Sequence, residues 1–323
     1  MMRMLPTLSS LRAASEIVYQ TMSPTPQYRW PLLGEAVGAE VWVKHENHTP
    51  IGAFKVRGGL VYFRELSARH PQGLHVVSAT RGNHGQSIGV AAGRHGIKAT
   101  IFVPEGNSRE KNAAMRALGV ALVEHGEDFQ AAREEAARYA EREGAHFMPS
   151  FHTDLVQGVA SYWLEFFDAV PNLDVVYAPI GQGSGICAAV AAREALGLRT
   201  KIVGVTSAHA PAYALSYAAR KSIDAPVSTR LADGLACRVP DAESLEIVLK
   251  HVDDVLTVTD AEIAASMRLL FTATHNVAEG AGAAALAATL QQRASLKGRR
   301  VGIVLSGGNV DRDMFADVLR GAG

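Results

Sequence analysis

The chain has 323 residues, 48% of them hydrophobic and 20% charged, and its 32 basic side chains are balanced by 32 acidic ones. At about 150 residues per domain, it can form two domains with cores that need no disulfide or metal staple. Zero net charge without a basic stripe argues against a nucleic-acid partner, and no apolar run approaches the ~18 residues of a membrane helix. The opening Met1-Met2-Arg3-Met4-Leu5-Pro6 has no apolar h-region, so no secretory leader is expected. Cys187 and Cys237 form no CxxC pair and read as small buried residues in a reducing, cytoplasmic compartment.

In chain order, β-branched and apolar runs predict strands at 41–44, 74–78, 100–104, 121–124, 175–179, 201–206, 255–258 and 301–305. Helical spacing predicts helices at 86–95, 128–142, 155–170, 186–196, 261–274 and 280–293. Nearly continuous apolar strands alternating with helices imply an α/β protein with parallel sheets covered on both faces. Residues 70–151 make a four-stranded α/β set of their own, inserted into a larger unit of residues 1–68 and 152–323. Ligands are expected in the cleft between the two.

Four segments carry chemistry in this frame. In the first, Glu46 to Gly59, a strand ends, a loop with Pro50 and Gly52 follows, and a helix is expected from about Ala53. Lys55 then falls in the first helical turn, where the helix dipole opposes a cation. Partial burial there would favour the neutral, nucleophilic amine that Schiff-base chemistry requires; a solvated lysine on an amphipathic helix is the competing reading. In the second, Ser78-Ala79-Thr80-Arg81-Gly82-Asn83-His84-Gly85, backbone N–H groups at a helix start suit a carboxylate or a ring oxygen. A plain turn with a capping residue fits equally well.

The third segment, Gly181-Gln182-Gly183-Ser184-Gly185, is a strand–glycine loop–helix that can wrap a phosphate. It is not a dinucleotide motif, because the next strand ends at Thr206-Ser207 where a ribose site wants Asp or Glu. It is not a nucleophile elbow either, since Ser184 lacks glycines two positions away on both sides. In the fourth, Ser306-Gly307-Gly308-Asn309, a neutral hydroxyl stands at a strand's C-terminal edge, or a simple turn closes the strand. Twelve histidines, among them His45 and His48, show no HExxH or paired Cys/His spacing, so no metal site is expected.

Taken together in order, these segments resemble fold-type II pyridoxal-phosphate (PLP) enzymes of the serine/threonine dehydratase and serine racemase group. The likeness runs from Thr25-Pro26 and Lys44-x-Glu46 to Asn309. It implies a tryptophan synthase β-like fold and a homodimer, with Lys55 as Schiff-base lysine and general base. It also implies that Phe54 packs by the cofactor ring, Asn83 bonds its 3-oxygen, Gly181, Gln182, Gly183, Ser184 and Gly185 cradle its phosphate, and Ser306 faces its nitrogen. Substrate would meet Thr80, Arg81, Gly82, Asn83 and His84. A hydroxyl at the ring nitrogen, unlike a carboxylate, suits prompt loss of a β-leaving group.

The departures from the family pattern are informative. Gln182 and Ser184 interrupt its usual run of glycines. Arg81 stands where racemases of the group carry a Ser, which disfavours racemisation. Thr206 and Ala212 replace the carboxylates of metal-activated members. The chain ends soon after Asn309, so no regulatory extension and no feedback by isoleucine are expected. Arg81 is read as a substrate contact, pairing a carboxylate or stacking on an aromatic substituent, or as an arginine turned outward.

The leading function is therefore α,β-elimination from a β-hydroxy-L-amino acid, with L-threonine and L-serine as default substrates. Phenylserine, 3-hydroxyaspartate or an intermediate of hydroxyectoine use is the alternative. A β-replacement synthase, a non-catalytic PLP-binding protein and a nicotinamide dehydrogenase are further alternatives. Asp233 and Glu279 lie in segments near the ring in relatives, and each is otherwise a buried capping carboxylate.

Overall fold

A computed structural model describes residues 5–70 and 73–321, so the reading of the first four residues as no leader lies outside the described residues. The chain runs α1 (Leu8–Tyr19), β1 (Gln27–Arg29), α2 (Pro31–Val37), β2 (Glu40–His45), a 3-10 turn at Glu46–His48, α3 (Lys55–Arg69), β3 (His75–Ala79), α4 (Asn83–Arg94), β4 (Lys98–Val103), α5 (Arg109–Ala117), β5 (Ala121–Glu124), α6 (Phe129–Glu143) and β6 (His146–Phe147). It continues through α7 (Thr153–Ala169), β7 (Val175–Pro179), α8 (Ser184–Leu196), β8 (Lys201–Ser207), α9 (Ala212–Ala219), a 3-10 turn at Asp233–Leu235, α10 (Ala242–His251), β9 (Asp254–Val258), α11 (Asp260–Thr274), α12 (Gly280–Gln291), a 3-10 turn at Arg293–Ser295, β10 (Arg300–Leu305) and α13 (Arg312–Arg320).

Two sheets result. One has six strands in the order β1-β2-β10-β7-β8-β9, parallel except for the edge strand β1. The other has four parallel strands in the order β5-β4-β3-β6. Alternation along the strands explains why both faces of the large sheet are covered. Val176, Ala178 and Val304 pack with Trp163 and Phe166 of α7 and Ile186 and Val190 of α8. Their neighbours Val175, Tyr177, Ile303 and Leu305 pack with Ile263 and Met267 of α11 and Leu286 of α12. In the smaller sheet, Val76 and Ile101 meet Leu60 of α3 and Ile88 of α4, whereas Val77 and Phe102 meet Ala132 and Ala136 of α6.

Helix α3 begins at Lys55, two residues later than its sequence suggests. Ala53 is held in an antiparallel bridge to Gly307, and the Phe54 amide donates to the Ser306 carbonyl at 3.0 Å. Tertiary pairing therefore takes these residues from the helix and fixes the lysine's segment beside the end of β10.

Beneath that segment lies a buried ionic cluster. Arg57 donates through Nε and Nη2 to Glu46 at 2.7 and 3.0 Å, and through Nη1 to Glu165 at 2.6 Å. Lys44 Nζ meets Glu165 at 2.5 Å and the Thr25 carbonyl at 2.7 Å. Two cations and two anions thus cancel, and they tie β2, the turn after it, α3 and α7 together two residues from Lys55.

Candidate active site

The loops that follow β3, β7 and β10, and the loop that leads into α3, all emerge at the C-terminal ends of strands. Residues 80–84 and 181–185, with Phe54, Lys55 and Ser306, line one cleft between the two sheets. All thirteen sequence-selected residues therefore come together.

Lys55 is half-buried at the first position of α3, and its Nζ donates to Ser184 Oγ at 3.0 Å. Burial pulls its ammonium down from 10.5 to about 8, so about a tenth is neutral amine at pH 7, far more than for a solvated lysine. The Ser87 hydroxyl of α4 donates to the Lys55 carbonyl at 2.7 Å and fixes the backbone that carries it.

The glycine loop opens α8, whose first-turn N–H groups have no carbonyl one turn earlier to bond. Gly183 sits at φ +96°, and a Cβ there would overlap Ser244 Oγ. The resulting hollow of amides at a helix N-terminus suits a phosphate, and Lys55 stands at its edge to meet an aldehyde. These residues fit pyridoxal phosphate by cradle and by amine. Ser184 Oγ accepts from Lys55, and Gln182 turns its amide to Cys237 Sγ at 3.4 Å. Both cysteines are free and buried. A Gly183→Val change should weaken cofactor retention by roughly one to two orders of magnitude through backbone strain and overlap with Ser244, as read by dialysis and residual absorbance.

Across the cleft, Thr80 Oγ1 accepts from the Gly82 amide at 2.9 Å and sets the turn into α4. Gly82 is needed for close approach, because a side chain there would occupy the Lys111 methylenes. Asn83 donates to Glu279 Oε1 at 2.6 Å, while its Oδ1 accepts from Asn309 at 2.9 Å; one hydrogen of its amide nitrogen is left for a ligand. His84 is buried, and desolvation with the nearby Lys55 holds its imidazole down at about 3, hence neutral. Ser306 is buried at the end of β10.

The sequence did not reveal Lys111. Its Nζ lies 2.7 Å from Asp233 and 3.1 Å from Glu279, joining α5 to the turn at Asp233–Leu235 and to the start of α12. Burial opposes its charge, but the two carboxylates overcome this and raise its pKa. Glu279 stands at the α12 N-cap position without making a side-chain cap. The capping alternative is thereby replaced by an ion pair in the cleft, and burial raises this carboxyl's pKa. Asp233 likewise serves Lys111. Among the described residues no cluster of three or more His, Cys, Asp or Glu could hold a metal, and no helix is long and apolar enough to cross a membrane.

A half-buried lysine beside an amide-lined glycine loop, at the C-terminal edge of an α/β sheet, is an arrangement that could take a phosphorylated aldehyde. The chain belongs to the family described as "Pyridoxal-phosphate dependent enzyme", whose model matches residues 18–307. It is 32% identical over 314 residues to an L-threonine ammonia-lyase of Thermotoga maritima, covering 97% of this chain and 78% of that one. To an L-threonine ammonia-lyase of Geobacter sulfurreducens it is 35% identical over 279 residues, 86% of this chain and 69% of that one. The solved maize serine racemase superposes with a TM-score of 0.89 at 26% identity, covering 98% of each chain. The fold is that of fold-type II pyridoxal-phosphate enzymes.

Proposed function

We propose that the protein is a pyridoxal-phosphate-dependent ammonia-lyase that takes a β-hydroxy-L-amino acid, of which L-serine and L-threonine are the simplest, to a 2-oxo acid and ammonia. The observation that carries this reading is Lys55, half-buried and hydrogen-bonded to a neutral hydroxyl at the edge of the glycine loop. The curated threonine ammonia-lyases similar to the chain support it.

When bound, pyridoxal phosphate would supply an electron sink for the pair left at the substrate Cα as its proton departs. The neutral Lys55 amine takes that proton. The amides of Asn83 and His84, opening α4, would hold the substrate carboxylate, and those of 181–185 would hold the phosphate. The remaining hydrogen of the Asn83 amide would be free for a ring oxygen, and the Ser306 hydroxyl would be available to a ring nitrogen. Hydroxide leaves the β-carbon and takes up a proton, giving water; a later water releases ammonia and leaves the 2-oxo acid. Atoms balance, because the water lost is regained. The Lys111–Asp233–Glu279 tie keeps the unit of residues 70–151 against the larger one of 1–68 and 152–323. We further propose a cytoplasmic homodimer, a reading that light scattering of the purified protein tests for assembly.

The test of activity is 2-oxo acid release from L-threonine with pyridoxal phosphate and EDTA present. Turnover is expected, and none on any β-hydroxy-amino acid would sink the proposal. Cofactor loading adds a pH test. Since only the neutral amine attacks an aldehyde, the rate at which the apo-protein captures pyridoxal phosphate should rise about tenfold per pH unit below the lysine's pKa. The rise should level off above about 8. A pH-independent rate in stopped-flow absorbance would contradict this.

A further inference from the structure

The cleft holds three cationic side chains, and two are accounted for. Lys55 is drawn towards the neutral amine, and Lys111 is matched by Asp233 and Glu279. Arg81 is not. It lines the cleft at the turn into α4, and its Nε is buried with no hydrogen-bond partner. The turn that Thr80 Oγ1 makes with the Gly82 amide fixes the backbone on either side of it. The outward-turned reading of this arginine is thus replaced by a half-buried guanidinium in the cleft.

The anions that the proposed reaction brings are already placed. On that reading phosphate has the amides of 181–185, and the substrate α-carboxylate has those of Asn83 and His84, the Gly82 amide being taken by Thr80. What remains for the guanidinium is an acceptor elsewhere on the substrate. A methyl group, as in threonine, or a hydrogen, as in serine, would leave the buried Nε–H unpaired. An oxygen beyond the β-carbon would satisfy it with a charge-assisted bond.

We propose that Arg81 is a specificity-determining residue that binds a side-chain oxygen acceptor, carboxylate or acyl carbonyl, beyond the β-carbon of the β-hydroxy-amino acid substrate. This rests on the lyase reading above. Sites that hydrogen-bond a substrate group reject analogues that lack it by large factors, so threonine is expected to be turned over but poorly.

The experiment compares kcat/KM for L-threonine, L-threo-3-hydroxyaspartate, L-threo-3-hydroxyasparagine and L-threo-phenylserine in the wild-type, Arg81→Ala and Arg81→Lys holoenzymes. One of the two oxygen-bearing substrates should exceed threonine by at least about 100-fold in the wild type. That ratio should collapse towards unity in Arg81→Ala and return in part in Arg81→Lys. Preference for hydroxyaspartate would identify the acceptor as a carboxylate, and preference for hydroxyasparagine as a carbonyl; either supports the proposal. It is overturned if threonine or phenylserine is preferred, or if the preference survives Arg81→Ala. It is also overturned if the variant loses the same factor on all four, which would give Arg81 to the shared α-carboxylate.

Calorimetry separates this from failure of the lyase reading. Succinate or succinamate should bind the holo-protein at least about tenfold more tightly than butyrate, and Arg81→Ala should erase the difference. Equal binding of all three overturns the proposal whatever the turnover.

Discussion

Replacing Lys55 with methionine is expected to cost about 10⁴-fold or more in turnover, because the proposed reaction gives one side chain the roles of both nucleophile and base. It should also remove the cofactor's visible absorbance while making the apo-protein more stable. The lysine's pKa falls from 10.5 to about 8 on folding because burial penalises the ammonium, a difference of about 3 kcal/mol. Below pH 8 the folded and unfolded chains both carry the proton, so the full penalty applies at neutral pH. Between pH 8 and 10.5 the unfolded chain binds more protons than the folded one, so wild-type stability rises with pH through that window. Methionine fills a similar volume without the charge and forfeits one hydrogen bond to Ser184 worth about 1 kcal/mol. The net gain for apo-Lys55→Met near pH 7 is therefore about 2 kcal/mol, shrinking towards pH 10. Urea denaturation at both pH values checks it, and a variant less stable than wild type at pH 7 would show that Lys55 is not held at a cost.

The sequence made the cleft legible because its pieces are local. Each glycine loop directly follows an apolar strand, and parallel strands bring such loops to one edge. Central strands such as β7, and β10 after Arg300, are apolar, for they are buried on both faces. The edge strand β1, Gln27–Arg29, is three residues with no apolar run, and β6, His146–Phe147, is two; neither has a period long enough to detect. The start of α3 was misplaced because a bridge from Ala53 to Gly307, 254 positions away in sequence, decides it. Lys111 was invisible for a related reason. It stands in Arg109–Ala117, a polar helix on which a lysine looks solvated, and only the fold sets Asp233 and Glu279 against it. Arg81 was conspicuous as a departure from the family pattern, but that it has no partner could be learned only from the packing around it. Glu165 left a usable signal, a charge amid the apolar Tyr162-Trp163-Leu164 and Phe166-Phe167 of α7, which only a buried counter-charge could accommodate.

That counter-charge leads to the largest expected loss of stability. Glu46→Ala would strip Arg57 of two hydrogen bonds and Thr25 of a third. Lys44 and Arg57 would then face Glu165 alone, leaving an uncompensated cation in a buried site. Breaking a buried pair from one side costs about 3–5 kcal/mol. Glu46→Gln should cost less, because its amide oxygen still accepts from Arg57. Burial works against the Glu165 charge, yet Arg57 and Lys44 hold its carboxyl below the usual range. Its stabilisation is therefore complete above the unfolded carboxyl value and is lost as pH falls through the lower folded one. Arg57 is two residues from Lys55 on the same helix, so the variant should release cofactor before global unfolding. Parallel thermal melts read by cofactor absorbance and by far-ultraviolet dichroism would show this: coincident transitions in wild type and separated ones in Glu46→Ala. A variant as stable as wild type would mean that the cluster's desolvation cost cancels its Coulombic gain, and that its four charges serve only to orient α3.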